Sequence, residues 1–222
     1  MILKRKKIDL WMVSVAMYVI PFVNGWVFPY LEYLHFDIRK AIAFQFLAIP
    51  LAVLVYLLYR DNLSLSDMGF VGRGNPNASL VGIHALICMC LLPIIFFSSM
   101  KYAYRLGFSG GHSVIYDYIP HTFPLGIVAC ITMAIVIGLV EEFHFQGCII
   151  SLLNMYSVTR WKILLIVPLL FGAVHWEGGW RDVLATWIFS NVEVLYFLRY
   201  RMIFPLICGH ATTDFIAFAM VI

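Results

Sequence analysis

The stretch that decides the fold is FPLGIVACITMAIVIGLVEEFHFQGCIISLL, residues 123–153. It is apolar over more than the roughly 20 residues that a helix needs to cross about 30 Å of hydrocarbon. Two adjacent acids, Glu141 and Glu142, interrupt it. A carboxylate costs about 2.5–3.5 kcal/mol to insert at the centre of a membrane helix, so acids at this depth indicate a functional site.

The remainder of the chain has the composition of a polytopic membrane protein. Of its 222 residues, 63% are hydrophobic and 12% are charged, whereas soluble domains carry about 25% charged residues. The mean hydropathy is +0.91. We predict an all-α fold of about seven transmembrane helices around a buried polar cavity. The candidate spans are 8–28, 42–59, 80–98, 123–153, 161–176, 182–198 and 203–222.

The distribution of basic residues predicts the orientation, because Lys and Arg concentrate in cytoplasmic loops. With seven spans and the N-terminus inside, ten of the 15 Lys and Arg residues face the cytoplasm and five face outward. The first span follows Lys4–Lys7 without a cleavage-site pattern, so we expect it to be retained. We therefore expect an integral protein of a bacterial plasma membrane with a cytoplasmic N-terminus. The basic residues orient the chain against the inner leaflet of the lipid bilayer. The net charge therefore needs no nucleic acid, and none is expected as a partner.

The two acids suit proton chemistry. Burial and like charge both disfavour ionisation of neighbouring carboxyl groups, which prepares one of them to take a proton from water as a general base. At 100° per residue, Glu142 shares a helix face with Gln146, while Glu141 lies on the adjacent face. Glu142 and Gln146 can instead bind a neighbouring helix as structural hydrogen-bonding groups. For Glu142, a catalytic role and a structural role both stay open. For Glu141, we favour a catalytic role.

Two histidines downstream also lie in apolar spans. His210 and Asp214 are four residues apart and share a helical face, so Asp214 can fix the tautomer of the ring. Alternatively, His175 is a helix-packing residue, and the His210–Asp214 pair only closes the bundle. Counted at 1.5 Å per residue, Glu141, His175 and His210 all fall within the hydrocarbon depth. A shared water-filled cavity is the setting in which such groups are tolerated.

These positions together resemble the CPBP family, also called Abi. This family comprises CAAX prenyl endopeptidases and bacteriocin-processing or self-immunity proteins. The matching motifs are Glu141–Gly147 (Glu-Glu-Phe-His-Phe-Gln-Gly), Phe171 to His175, and His210 to Asp214. The segment Leu65–Phe70 is also similar to a loop that often precedes the family core. The sequence shows no repeat and no second domain, so we expect one membrane domain over residues 1–222. The resemblance implies that its catalytic core is at 123–222.

The resemblance implies hydrolysis of a peptide bond inside the membrane. Glu141, in its motif with Glu142, would activate water together with His175, and His210 with Asp214 would complete a metal site or stabilise the oxyanion. Glu141, His175 and His210 can form an open three-ligand Zn²⁺ site. The same groups can also act without metal as base and oxyanion donors, and both schemes stay open. The expected substrate is a membrane-associated peptide, prenylated or bacteriocin-like.

Two departures from the family pattern bear on activity. Gln146 stands where the family usually has arginine, so the acids lack an evident cationic partner. Asp214 stands where asparagine is common, and a carboxylate donates no hydrogen bond unless protonated. The first departure favours a non-catalytic CPBP-like immunity or scaffold protein, whereas the intact Glu141, His175 and His210 favour an enzyme. A proton-coupled transporter is a further alternative, but it predicts inverted repeats that the sequence lacks.

Overall fold

The structure is a computed structural model. It describes residues 30, 33–35, 48–60, 64–72, 74, 76–111, 116, 119, 120 and 122–220. The chain divides into two compact units, Met1–Ser64 and Leu65–Ile222. The predicted span at 8–28 lies outside the described residues, and the span at 42–59 is described only from residue 48 onward. The expectation of a single membrane domain stays a prediction.

Each unit is helical where it is described. In the first unit, helix α1 runs over Ile49–Arg60. The second unit contains α2 (Ala78–Arg105), α3 (Leu125–Glu142), α4 (Ile150–Met155), α5 (Arg160–Val174), α6 (Gly179–Tyr200) and α7 (Phe204–Ala219). A π-helical turn, Phe143–Ile149, joins α3 to α4, and a 3-10 turn, Trp176–Gly178, precedes α6. No strand occurs among the described residues, which confirms the prediction of an all-α fold.

Two long apolar segments can cross a membrane. They are α2 and the continuous run Leu125–Met155, and the pair of α5 and α6, bent by 64°, adds a third if it counts as one span. Exposed apolar side chains on α2, such as Leu86 (64%) and Ile94 (62%), are suited to lipid contact rather than water. These features identify an integral membrane protein. The predicted number of seven spans stays a prediction.

Small residues let α7 approach its two neighbours closely. A methyl group at Gly138 of α3 would lie 3.0 Å from the backbone nitrogen of Ala211 on α7. A methyl group at Gly209 of α7 would lie 2.9 Å from the backbone of Cys88 on α2. Glycine at such contacts allows membrane helices to pack backbone against backbone. The α3–α7 contact brings the paired glutamates beside His210.

A cluster of aromatic and aliphatic side chains fixes α5 and α6 against the π-helical turn. Phe145 and Phe171 meet edge to face with ring centroids 4.9 Å apart, and Phe171 stacks on Phe189 at 6.5 Å. All three side chains are at most 2% exposed. Aromatic pairs in these geometries contribute about 0.5–1.5 kcal/mol beyond the area that they bury. The cluster therefore holds the π-helical turn, the end of α5 and the middle of α6 in a fixed relation.

The loop before α2 is hydrogen-bonded to α4 and to the residues that directly follow α6. The hydroxyl of Ser151 donates to the carbonyl of Asp67 at 2.6 Å, and the guanidinium of Arg201 donates to the same carbonyl. The backbone N–H of Ile203 donates to the carbonyl of Gly69 at 3.0 Å. Gly69 has a φ of +85°, a conformation that glycine adopts without a steric penalty. The Leu65–Phe70 segment is thus an ordered connection.

Candidate active site

The paired glutamates lie where the backbone changes its helical period. Glu142 is the last residue of α3, and the π-helical turn Phe143–Ile149 follows at once. Single π-helical turns within α-helices occur frequently at functional sites. All seven residues of the turn are buried. The turn alters the register that a continuous α-helix would give residues 143–149, yet Glu142 and Gln146 still reach the same group of side chains.

Glu141 meets two histidines from two other helices. Its Oε2 atom lies 3.6 Å from Nε2 of His210 and 4.0 Å from Nε2 of His175. The side chain of Glu141 is 18% exposed and that of His175 is 31% exposed, so this is the accessible side of the site. The structure therefore brings together the three residues that the sequence motifs single out.

The ring of His175 is oriented by the backbone of its own helix. Its Nδ1 atom lies 2.8 Å from the carbonyl oxygen of Phe171. A carbonyl only accepts, so Nδ1 carries the proton and donates it there. Nε2 of the neutral ring then has a free lone pair, which faces Glu141. His175 directly follows α5, so the end of that helix positions the ring.

The buried side of the site contains a second group of polar side chains. Nδ1 of His210 donates to Oε1 of Glu142 at 2.8 Å, and Oε1 of Glu193 lies 3.7 Å from the same nitrogen. Nε2 of Gln146 donates to Oε2 of Glu193 at 3.4 Å. Glu142, Glu193 and Gln146 are all 0% exposed. His210 therefore separates an accessible acid, Glu141, from two fully buried ones.

The role expected for Asp214 needs correction. We predicted that Asp214 fixes the tautomer of His210, but its Oδ2 lies 3.7 Å from Nε2 of that ring, beyond hydrogen-bonding distance. Glu142 makes the hydrogen bond instead, on the other ring nitrogen. Asp214 is 20% exposed and stands on the same side as Glu141. It contributes charge near the accessible nitrogen without orienting the ring by a hydrogen bond.

Sequence reasoning missed Glu193. It lies in the middle of α6, in the run WIFSNVEVLYFL, and it is the only acid of that run. The insertion cost that drew attention to Glu141 applies equally to a single acid in such a segment. The signal was therefore present, although nothing in the sequence indicated that Glu193 lies beside Glu142.

The group best arranged for a metal ion differs from the expected one. We predicted ligands from Glu141, His175 and His210. One atom from each of Glu142, Glu193 and His210 lies within 4.8 Å of the others, and carboxylate oxygen with imidazole nitrogen is a donor set that Zn²⁺ accepts. Which set binds a metal, and whether either does, stays a prediction.

Tyr116 extends the accessible side beyond the spans. It lies between α2 and α3, and its ring meets that of Phe218 on α7 edge to face, with centroids 5.5 Å apart. Burial, followed by the negative charge of Asp214, raises the pKa of Tyr116 to about 12. The phenol therefore stays neutral near the carboxylate and can donate a hydrogen bond. No sequence motif indicated this residue.

The fold and the site define a class: an integral membrane protein of packed helices with glutamates and histidines clustered in its interior. Residues 122–216 match the family described as Type II CAAX prenyl endopeptidase Rce1-like. This match supports the resemblance of these residues to the CPBP, or CAAX protease, family. No curated protein and no solved structure matches the chain. The matched segment contains every site residue described above except Tyr116.

Proposed function

We propose that the protein is an intramembrane endopeptidase that hydrolyses a peptide bond of a membrane-associated peptide. One observation carries the proposal: Oε2 of Glu141 lies 4.0 Å or less from Nε2 of both His175 and His210. The family match adds support, since that family is one of proteases. A base and two imidazoles from three separate helices form the kind of group that general acid–base hydrolysis requires.

The facing atoms of Glu141 and His175 suit a bound water molecule. A separation of 4.0 Å between Oε2 of Glu141 and Nε2 of His175 is too long for a direct hydrogen bond and is one that a water can bridge. Both atoms accept hydrogen bonds in this arrangement, so the water would donate one hydrogen to each. Its oxygen lone pairs would then point away from both residues, toward a substrate carbonyl.

The proposed reaction has two proton transfers. As the water oxygen bonds to the carbonyl carbon of the peptide, Glu141 takes the proton that the water gives up. The tetrahedral adduct then breaks its C–N bond, and the proton held by Glu141 passes to the leaving amine nitrogen. The products are a carboxylic acid, which gives up its remaining proton to the solvent or to the amine, and an amine. General acid–base help of this kind contributes about 10²–10⁴-fold to a rate.

His210 would complete the accessible side. Its ring is held from behind by the hydrogen bond to Glu142, and Nε2 faces Glu141 and Asp214. When the ring carries a proton on both nitrogens, Nε2 also donates and is placed to stabilise negative charge that develops on the substrate oxygen. If Zn²⁺ is bound, it supplies Lewis-acid polarisation of that oxygen; the metal-free scheme uses the same side chains.

A cleavage assay tests the proposal. The protein is reconstituted in liposomes with a farnesylated peptide ending in a CAAX sequence, and the products are identified by mass spectrometry. We expect wild type to release the C-terminal residues and Glu141→Gln to lose at least about 100-fold in rate, since the amide cannot accept the proton. A bacteriocin-like precursor peptide serves as the second substrate class.

One observation favours a non-catalytic scaffold or immunity protein instead. Gln146, in the position that usually carries arginine in the family, is fully buried and interacts with Glu193 rather than with a substrate-facing group. This alternative predicts that wild type cleaves neither peptide and that Glu141→Gln leaves the cellular phenotype unchanged. The same assay therefore separates the two candidates.

A further inference from the structure

We propose that Glu142, Glu193 and Nδ1 of His210 bind one divalent cation on the buried side of the site. The proposal deepens the proposed function, because His210 belongs to both sides. It differs from the zinc site that the sequence motifs implied, which used Glu141 and His175. The two ligand sets share only His210, so experiment can separate them.

The three donor atoms already converge. Nδ1 of His210 lies 2.8 Å from Oε1 of Glu142 and 3.7 Å from Oε1 of Glu193, and one atom from each residue lies within 4.8 Å of the others. Ligands at about 2.0–2.2 Å from Zn²⁺ stand roughly 3–4 Å apart around the ion. Only small side-chain shifts are needed to bring the three atoms to that spacing. By contrast, the nitrogen of His175 is no nearer to Glu141 than 4.0 Å.

The local charge favours a cation. Glu142 and Glu193 are both 0% exposed, and buried carboxylates persist only when they are paired, protonated or bound to a metal. Within the described ranges, the one side chain within ion-pair distance of either acid that can carry positive charge is His210. One imidazole can offset at most one of two negative charges. A divalent cation would balance both and leave His210 neutral.

Unpartnered atoms in fully buried side chains point to the same place. Oε2 of Glu142, Oε1 of Glu193 and Oε1 of Gln146 have no hydrogen-bond partner in the part of the chain that the structure describes. The hydroxyl of Ser190, one helical turn before Glu193, is also buried without one. Leaving such a group unsatisfied is unfavourable, and more so for a charged group. A cation bound by Glu142 and Glu193 would provide a partner for the unpartnered oxygens of these two acids.

Gln146 is a neutral residue at a position beside Glu193 where a positive charge is usual in the family pattern. Its Nε2 lies 3.4 Å from Oε2 of Glu193, at the position where the family pattern usually has arginine. An arginine there would place a guanidinium against Glu193. With a neutral amide instead, the two buried acids are open to a metal ion.

Ligation at Nδ1 has a consequence for the accessible side. A neutral imidazole that binds a metal through one nitrogen carries its proton on the other. Nε2 of His210 would then be an N–H donor, 3.6 Å from Oε2 of Glu141. The buried cation would thus orient and polarise the group that faces the proposed water and substrate.

The test measures metal binding rather than activity. Tag-free wild type is purified in detergent, stripped with chelator, and titrated with Zn²⁺ against a chromophoric competitor; bound metal is also counted after gel filtration. We expect about one Zn²⁺ per chain. Loss of a residue that merely supports a metal ligand typically costs 10–100-fold in affinity, so we expect Glu193→Gln, which removes a ligand, to lose at least about 100-fold.

Three further variants discriminate between the ligand sets. Glu141→Gln and His175→Gln leave the buried set intact and should retain one Zn²⁺. Gln146→Arg supplies the missing positive charge beside Glu193 and should lose the metal while keeping the fold, as checked by gel filtration and thermal unfolding. It therefore tests the proposal even if Glu193→Gln fails to fold.

Three results would overturn the proposal. The first is wild type that binds no Zn²⁺, which leaves a shared proton between Glu142 and Glu193 as the occupant. The second is loss of metal in Glu141→Gln or His175→Gln, which assigns the ion to the accessible set. The third is unchanged binding in Gln146→Arg. None of these depends on peptide cleavage, so failure of the endopeptidase assay with intact metal binding would reject only the proposed function.

Discussion

His210 is the residue at which the two sides of the site meet. Its Nδ1 donates to the fully buried Glu142, and its Nε2 faces the partly exposed Glu141. Phe171 and Phe189 pack edge to face against the ring, with centroids 5.8 and 5.2 Å away. Aromatic packing on the ring and a hydrogen bond at one nitrogen together leave the other nitrogen in a defined direction, as a positioned catalytic group requires.

His175 provides the sharpest single-residue prediction. Replacing it with glutamine removes the Nε2 lone pair that faces Glu141, so we expect cleavage to fall about 10²–10⁴-fold. The matched control is His84→Gln. His84 lies on α2 and is hydrogen-bonded to Tyr196 at 2.8 Å. It takes no part in the group of side chains around Glu141. Equal cleavage by His175→Gln and wild type in the liposome assay would contradict the assigned role.

Glu142 is predicted to contribute to stability through its oxygen acceptor. Glu142→Ala leaves Nδ1 of His210 buried without a partner, which should lower the free energy of unfolding by about 1–3 kcal/mol. Glu142→Gln keeps an acceptor oxygen and should recover part of that loss. Thermal unfolding in detergent compares the two. Equal melting temperatures for alanine and glutamine would show that the hydrogen bond to His210 contributes nothing.

The sequence predicted the main residues but not their pairing. Glu141, His175 and His210 stand out because ionisable groups are costly in apolar spans. The structure brings both imidazoles within 4.0 Å of the carboxylate of Glu141. Glu193 satisfies the same criterion and was overlooked. That Glu142 rather than Asp214 bonds to His210 depends on tertiary distances between α3 and α7, which helical periodicity alone does not give.

Among the elements, the contact of α3 with α7 sets the geometry of the site. Gly138 lies one turn before Glu141 and Glu142, and a methyl group there would stand 3.0 Å from a backbone atom of Ala211. Ala211 is the neighbour of His210 in sequence. The absence of a side chain at position 138 therefore permits the close approach that places the paired glutamates against the histidine.

Gly138→Ala should push α3 and α7 apart. Overpacking of this kind costs about 1–3 kcal/mol, and lengthening the 2.8 Å bond between Glu142 and His210 should also reduce cleavage. Gly82→Ala is the matched control, because no atom lies within 4 Å of a methyl group at that position on α2. It should be neutral or stabilising by up to about 1 kcal/mol. Melting temperatures that change alike in both variants would contradict the packing argument.

The elements also show where sequence patterns reach their limit. The long apolar run 123–153 predicted one extended helical segment, and the structure has helix from Leu125 to Met155. The π-helical turn Phe143–Ile149 within it was not predicted, because a one-residue change of helical period leaves the composition of the run unchanged. Helix α5 ends at Val174, and Gly179 has a φ of +76°.

On the scale of the whole molecule, orientation in the membrane is the untested property that follows most directly from the sequence. The excess of basic residues predicts that the segment before α2 faces the cytoplasm and the segment after it faces outward. Helix α2 has 28 residues, or about 42 Å at 1.5 Å per residue. This length is sufficient for its two ends to emerge on opposite sides of a bilayer core of about 30 Å.

Cysteine labelling in a cysteine-free background tests this orientation. Val71 and Leu106 flank α2 and are 47% and 54% exposed, so Val71→Cys and Leu106→Cys are accessible to reagent. We expect a membrane-impermeant maleimide to label Leu106→Cys in intact cells and Val71→Cys only after lysis. The reverse pattern would invert the predicted topology, and labelling of both in intact cells would exclude α2 as a span.

The most direct test of the central claim follows the oxygen of water into the product. Purified protein in liposomes is incubated with the farnesylated CAAX peptide in H₂¹⁸O, and the new carboxyl group is analysed by mass spectrometry. We predict one ¹⁸O atom per cleaved bond with wild type, and loss of both cleavage and label with Glu141→Gln. Labelled product formed equally well by Glu141→Gln, or no product from wild type with either substrate class, would contradict the assignment of Glu141 as the residue that activates water.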